Sequence, residues 1–336
     1  MLSSFEPWPA GEWRRALADA VTRVDKLLEL VELEAADLAG GPTASAVRRF
    51  PLRVPRGFIA RMTTGDPSDP LLRQVLPLGV EDDEVAGFTA DPVGELGLAL
   101  DGGVMTKYHG RALIVVTGAC AVHCRYCFRR HFPYDEHRAG DPDWSAVVEA
   151  IAGDASVDEV ILSGGDPLSI PDRRLRPLVD RVVAIDHIRR LRVHTRLPVV
   201  LPERVDEDLV AWIAACPRPV VIVIHANHPA EIDSRVERAL GALRRAGATL
   251  LNQAVLLAGV NDSVPALDGL SRRLADCGVV PYYLHLLDRV AGAAHFEVEE
   301  GRALTIMDGL RVRLPGYLVP RLVREIPGAP SKVVVG

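Results

Sequence analysis

Six short apolar runs, five containing β-branched residues and the last aromatic and leucine-rich, at 112–117, 159–162, 191–195, 220–225, 249–255 and 281–287, constrain this chain more than any other feature. Between them, 144–152, 173–185, 205–215, 231–246 and 265–276 carry apolar residues at the helical period, so strand and helix patterns alternate regularly. Right-handed crossovers make such strands parallel, in an open doubly wound sheet or a partial (βα) barrel. The chemically useful residues choose between the two. Cysteines follow the first run, Ser163-Gly164-Gly165-Asp166 the second, Arg196 the third and His225-Ala226-Asn227-His228 the fourth, while Gln253 lies in the fifth and Asp288 follows the sixth. An open sheet gathers function at one switch point, whereas a barrel brings the C-terminal ends of all its strands to one mouth. The even spread predicts an α/β fold built on a partial (βα)6 TIM-like barrel.

That core is expected over 104–296. Before it, 1–103 reads as a helical and irregular arm, with a strong helical pattern at 12–39 and a stretch rich in Pro, Gly and Asp at 50–103. After it, 297–336 holds a helix near 299–311, an extended stretch at 317–325 and a tail containing Pro327-Gly-Ala-Pro-Ser-Lys332. A net charge of −6 argues against broad binding of nucleic acid or anionic membrane, which needs a basic face. No apolar run reaches the roughly 18–20 residues of a membrane span, and Met1-Leu-Ser-Ser-Phe-Glu6 lacks a basic start followed by an apolar stretch, so a cytoplasmic location is expected. The five cysteines are too few, and odd in number, for a disulfide framework, so reduced thiols are expected. Only Lys26, Lys107 and Lys332 are lysines among the 39 basic residues, which draws attention to what lysine can do and arginine cannot. Arginine stays protonated and forms no imine.

Cys120-Ala-Val-His-Cys124-Arg-Tyr-Cys127 follows a buried strand directly, placing three thiols on one loop at the mouth. Structural zinc takes four protein ligands, and no second Cys or His pair with finger-like spacing follows. Cys216 and Cys277 fall late in helical patterns and read as small core residues. An iron–sulfur cubane has four irons, so three cysteines leave one iron open to a ligand.

This C-x3-C-x2-C loop, with Tyr126 before its third cysteine, resembles that of the radical S-adenosylmethionine superfamily. The wider stretch, Lys107-Tyr-His-Gly-Arg111, then Thr117-Gly-Ala-Cys120 through Cys127-Phe-Arg129-Arg130-His-Phe-Pro-Tyr134, resembles the lysine 2,3-aminomutase family. Within that family it is most similar to the short bacterial branch that makes (R)-β-lysine for elongation factor P. Ser163-Gly-Gly-Asp-Pro-Leu168, Thr195-Arg196-Leu-Pro-Val, His225-Ala-Asn-His-Pro229, Asn252-Gln253-Ala-Val-Leu-Leu and Asn261-Asp262 extend the likeness over about 50–332.

The resemblance implies a 4Fe–4S cluster on Cys120, Cys124 and Cys127, with S-adenosylmethionine on its open iron near Tyr126, Ser163, Gly164, Gly165, Asp166, His225 and Gln253. It implies pyridoxal 5′-phosphate carried by Lys332, the catalytic lysine, with Arg111 and Arg196 as partners of cofactor phosphate or carboxylate groups. Relatives place that lysine after Pro-Gly-Gly-Gly-Gly, where this chain has Pro327-Gly-Ala-Pro-Ser. Lys107 is the rival, but it precedes the first strand, which directs it to the rim opposite the cysteines. For the substrate, Arg129 matches a carboxylate-binding arginine, and Asp288 and Glu325 match two acids that pair with a distal ammonium. Glu325 stands where lysine aminomutases have Asp. The activity implied is conversion of L-α-lysine to β-lysine: an adenosyl radical takes hydrogen from carbon 3, nitrogen migrates, and hydrogen returns at carbon 2. The partners implied are lysine, a flavodoxin- or ferredoxin-type electron donor, elongation factor P with its lysyl ligase, and a homo-oligomeric state. A free β-lysine or ornithine-type aminomutase and a non-catalytic iron–sulfur or zinc scaffold are the competing readings.

Overall fold

The structure, a computed structural model, describes residues 6–96, 104–134 and 143–336. One nine-stranded sheet runs in sequence order through β1 (Val104–Met105), β2 (Arg111–Thr117), β3 (Glu159–Gly164), β4 (Arg190–Thr195), β5 (Val220–Ile224), β6 (Thr249–Val255), β7 (Val280–His285), β8 (Arg321–Arg324) and β9 (Val333–Val334). Neighbours from β2 to β8 pair in parallel, while β1 and β9 lie antiparallel on its two edges. All six expected strands are present, arranged as a partial barrel. β8, which joins β7 through Tyr283 beside Arg321, extends the parallel set by one strand from the stretch expected only to be extended.

The sequence explains why these segments settle as they do. A parallel strand covered on both faces needs a near-continuous apolar run, and Val220-Val-Ile-Val-Ile224 supplies one. Ser145–Gly153, Asp172–Val183, Glu207–Ala215, Ser234–Arg245 and Val264–Asp276 are the crossover helices. Three of them start where an acceptor side chain meets an otherwise orphaned amide: Asp206 takes the N–H of Leu209, Asp233 that of Val236, and Ser263 that of Ala266. Each such cap contributes about 1 kcal/mol. Among the described residues, no helix is long and apolar enough to cross a membrane.

The arm shares the barrel's core: Trp8, Trp13, Leu27, Phe58, Leu71 and Leu72 are buried in one cluster with Leu162, Leu191 and Leu240. The single helix expected at 12–39 is instead two, Glu12–Ala18 and Val24–Leu30, followed by a 3-10 turn at Ala35–Asp37. The break has a tertiary cause. Val21 exchanges backbone hydrogen bonds with Val54 at 2.8 and 2.9 Å, and that bridge takes its N–H and C=O away from helical pairing.

Candidate active site

The cysteine loop leaves β2 at Thr117 and is fixed by the turn after β3. Gly165 donates its N–H to Thr117 O at 2.6 Å and Asp166 to Ala119 O at 2.9 Å. A Cβ on Gly165 would lie 2.5 Å from Ala119 O, and Gly164, at φ 121°, would meet Thr117 O at 2.5 Å. Only glycine lets the two turns touch. Asp166 accepts from Thr195 Oγ1 at 2.8 Å and from the Arg196 N–H at 2.7 Å, tying the third turn to the second. Burial raises its pKa to about 6 against the opposing pull of these donors.

From the other side the arm clamps the loop. Arg125, between Cys124 and Tyr126, is fully buried; it donates its N–H to Gln74 O at 2.9 Å and its Nε to Glu81 Oε1 at 2.8 Å. Arg130 reaches the same Glu81 at 2.7 Å. Glu81→Leu therefore strands two buried guanidinium groups and is expected to destabilise the chain by about 3–5 kcal/mol. Urea denaturation of the unloaded protein measures this, and a loss below about 1 kcal/mol would show the clamp to be dispensable.

All three loop cysteines are free thiols. Burial pushes the Cys127 thiol up to about 11 and raises the Cys120 thiol well above its usual range, with Asp166 adding to the latter and neighbouring sulfurs to both. Three mutually repelling sulfurs on one loop are a donor set that a cationic centre relieves. Among the described residues, the one group of His, Cys, Asp and Glu whose ligand atoms all lie within 4.8 Å of one another is Asp172, Asp206 and Asp208, which does not include these cysteines. A single tetrahedral zinc, with Zn–S near 2.3 Å, requires sulfurs roughly 3.8 Å apart. A cluster, in which each sulfur takes a different iron, suits the wider spacing.

Beside Cys124 lies a buried polar knot. Arg196 Nη1 donates to Cys124 Sγ at 2.6 Å and to Tyr126 Oη at 2.5 Å, while Nη2 donates to Gln74 Oε1 at 2.8 Å and to Glu231 Oε2 at 3.0 Å. Tyr126 stacks on His225, with its Oη 3.0 Å from His225 Nε2 and accepting from Asn227 at 2.7 Å. Burial, with Arg196 adding to it, lowers His225 to about 3, so the ring is neutral. The terminal N–H groups of Arg196, expected to partner a cofactor phosphate or carboxylate group, are thus engaged by the chain itself at the cysteine end. Glu231 competes successfully for its charge.

Arg129, two residues beyond Cys127, is also buried and already paired. Its Nε and Nη2 form a bidentate contact with Glu95 at 2.7 and 3.0 Å, and Nη1 donates to Ser163 Oγ at 3.0 Å and Gly164 O at 3.2 Å. A substrate carboxylate at this arginine must share or displace Glu95.

A second polar group gathers at the C-terminal tail. Lys332 Nζ lies 2.6 Å from Glu325 Oε2, and Lys107 Nζ lies 2.7 Å from Glu325 Oε1. Tyr108 also donates to Glu325. Lys107 is therefore not across the barrel. It lies in the turn between β1 and β2, and the seam brings that turn against the one between β8 and β9; rim assignment from strand direction alone ignores this hairpin. Burial opposes ionisation of Glu325, but the two lysines outweigh it and hold the carboxyl at about 2. Asp288 behaves oppositely: burial first and Glu325 second push it up to about 7.

His194 on β4, Gln253 on β6 and His285 on β7 each keep a buried side-chain nitrogen with no hydrogen-bond partner among the described residues. Burial, then the charge of Lys332, lowers His285 to about 3; His194 is lowered by burial and then by Arg192, Lys332 and Arg129. The orphaned nitrogens of His194 and His285, both within the field of Lys332, suit a polar, planar ligand. Arg111 stands at the start of β2, with its guanidinium 5.8 Å from the Tyr108 ring centre.

Gln74, Glu81, Glu95 and Glu231 carry no mark in the sequence. Gln74, Glu81 and Glu95 lie in the arm, where no strand rhythm marks a site. Glu231 looked like an ordinary acid at a helix start, but its carboxylate accepts from the N–H groups of Asn227 and His228 as well as from Arg196.

Residues 114–266 match the Radical SAM superfamily. The chain is 49% identical to the L-lysine 2,3-aminomutase of Escherichia coli strain K12 over 323 residues, covering 96% of this chain and 93% of that protein. It is 42% identical to the L-lysine 2,3-aminomutase of Haemophilus influenzae, over 96% and 95% of the two chains, and 32% identical to that of Clostridium subterminale, over 96% and 77%. Among solved structures, a radical SAM methyltransferase from Sphaerobacter thermophilus gives a TM-score of 0.43 at 18% identity, over 66% of this chain and 68% of that one.

Proposed function

The chain belongs to the L-lysine 2,3-aminomutase family of radical SAM isomerases, and from that premise we propose that it converts L-α-lysine to β-lysine with pyridoxal phosphate on Lys332 and supplies elongation factor P modification. The observation that carries the reading is the seating of Lys332. A residue four positions from the end is held at Glu325 inside the barrel, where its charge bears on His194, His285 and Asp288.

When bound, the cluster with S-adenosylmethionine supplies a hydrogen-abstracting carbon radical, and pyridoxal phosphate supplies the conjugated system to which the migrating nitrogen is attached. The chain's own residues bind and orient. Cys120, Cys124 and Cys127 hold the irons, and the turn from Ser163 to Asp166, with Tyr126, His225 and Gln253, lines the place for S-adenosylmethionine. Arg129 takes the substrate carboxylate in exchange for part of its contact with Glu95. Lys107, which shares Glu325 with Lys332, and Arg111, beside the Tyr108 ring, would be cations for the cofactor phosphate. Glu325 passes from Lys332 to the distal ammonium of lysine, beside Asp288.

Asp288 gives this reading a pH dependence. An ammonium partner requires the carboxylate, so the Kd for lysine is expected to rise about tenfold for each unit that pH falls below about 7. Asp288→Asn should weaken binding and flatten that slope; a variant keeping the full slope would remove Asp288 from the ammonium site. The same shift acts on stability. Because the folded value exceeds the unfolded one, the contribution of Asp288 is fully present below about pH 4 and is lost as pH rises through about 7.

The elongation factor P link rests on greater identity to the Escherichia coli and Haemophilus proteins than to the Clostridium one. Mass spectrometry of elongation factor P from cells with and without this gene tests it. Loss of the β-lysyl addition is expected, and an unchanged mass would leave free β-lysine as the product's use. A flavodoxin- or ferredoxin-type protein is the class of electron donor.

A further inference from the structure

The three cysteines of the loop are not in equivalent surroundings. Cys124 receives a guanidinium N–H, from Arg196 at 2.6 Å, whereas among the described residues no side-chain donor reaches the sulfur of Cys120 or Cys127. That arginine is held from three other directions by Tyr126, Gln74 and Glu231, all buried. Gln74 is itself fixed, donating to Glu231 Oε1 at 3.1 Å and to Pro70 O at 3.0 Å. Burial disfavours a charged Glu231, but Arg196 and the Asn227 N–H outweigh it, so the carboxylate is ionised and the pair is a true ion pair. Such a knot leaves the guanidinium one orientation, with Nη1 on the sulfur.

We infer that Arg196 is a positioning residue that raises the reduction potential of the cluster through its charged hydrogen bond to Cys124. The inference rests on the proposed reading of Cys120, Cys124 and Cys127 as cluster ligands. A cluster gains one negative charge when it takes an electron. A nearby cation in a buried, weakly screened site favours that state, and a donor on the thiolate draws density from the sulfur in the same direction. Glu231 opposes the effect but sits on the far nitrogen, 3.0 Å from Nη2, while Nη1 faces the sulfur. The expected role is to make the cluster reducible by a biological one-electron donor.

The test is a redox titration of anaerobically reconstituted protein with dithionite, without S-adenosylmethionine, following the reduced cluster by electron paramagnetic resonance. Iron and sulfide content are measured on each sample. Arg196→Gln is expected to have the most negative midpoint potential. Arg196→Lys, which keeps the charge on a narrower head group, should recover part of the shift. Arg196→Gln leaves Glu231 buried without its partner, so the double variant R196Q/E231Q removes the orphaned charge and keeps the test open if the single variant does not fold. Its potential should lie between those of the single variant and the unaltered protein. Loaded variants that titrate together with the unaltered protein would overturn the inference alone. An unaltered protein that takes up no iron and sulfide would overturn the cluster assignment, and the inference with it.

Discussion

Lys332→Ala is expected to abolish the visible absorbance of bound pyridoxal phosphate and to lower β-lysine formation by about 10⁴-fold or more, the scale on which loss of a covalent nucleophile acts. The reason lies in what surrounds the amine. Lys332 shares Glu325 with Lys107, so two lysines meet at one carboxylate, and the sequence has only one other, Lys26, on an arm helix and paired with Glu29 at 2.6 Å. Lys107 also donates to Val93 O at 3.2 Å, which ties its amine to the arm as well as to Glu325. Lys107→Ala is therefore expected to keep the absorbance band, with weaker cofactor retention. If the band survived in Lys332→Ala and vanished in Lys107→Ala, the two assignments would have to be exchanged. Arginine at 332 should behave as alanine does, since a guanidinium stays protonated.

Cys124→Ala is expected to have the second large effect: loss of iron–sulfur absorption on anaerobic reconstitution and no detectable turnover. Two sulfurs cannot hold a cubane that three already leave one ligand short. The substitution also leaves the Arg196 guanidinium facing a methyl group, with Glu231 still neutralising it, so the fold should persist while the cluster does not. Cys216 and Cys277, at the ends of outer helices, provide the control. Their serine variants should bind iron like the unaltered protein. Iron uptake unaffected by Cys124→Ala would remove that thiol from the ligand set.

The parts of this molecule that were legible in its sequence are those with local periodicity. The run Val220-Val-Ile-Val-Ile224 announces a doubly covered strand without help from any other segment, and the cysteine spacing announces its own loop. What escaped depends on contacts between distant residues. β1 and β9 are two residues long and carry no alternation to read; they are strands because β2 and β8 offer free edges. The helix over 12–39 breaks because Val21 finds Val54, a partner that no pattern within 12–39 reveals. Lys107 precedes β2, yet it meets Glu325 together with Lys332, because the hairpin at the sheet edge and not strand direction decides its neighbours. Glu95 and Glu231 each answer an arginine 34 or 35 residues away, and an acid is marked as a partner only once the fold supplies the base.

The arm is thereby more than a covering. Gln74, Glu81 and Glu95 all come from it, and each grips an arginine, Arg125, Arg196 or Arg129, that stands in or beside the thiol loop. Each of these buried arginines has an acidic partner: Glu81 serves both Arg125 and Arg130, Glu231 pairs with Arg196, and Glu95 with Arg129. A matched buried pair adds little to stability on average but is costly to break, so these contacts specify geometry more than they strengthen the fold.

That the thiol loop and Lys332 serve one reaction space is tested most directly by following an isotope. Protein carrying both groups is incubated with L-lysine, dithionite and S-adenosylmethionine deuterated at the 5′ carbon, and the recovered amino acids are analysed by mass spectrometry. Deuterium in β-lysine, absent when either Lys332 or Cys124 is replaced by alanine, is the expected result. β-Lysine formed without deuterium, or formed by either variant, would contradict a shared site.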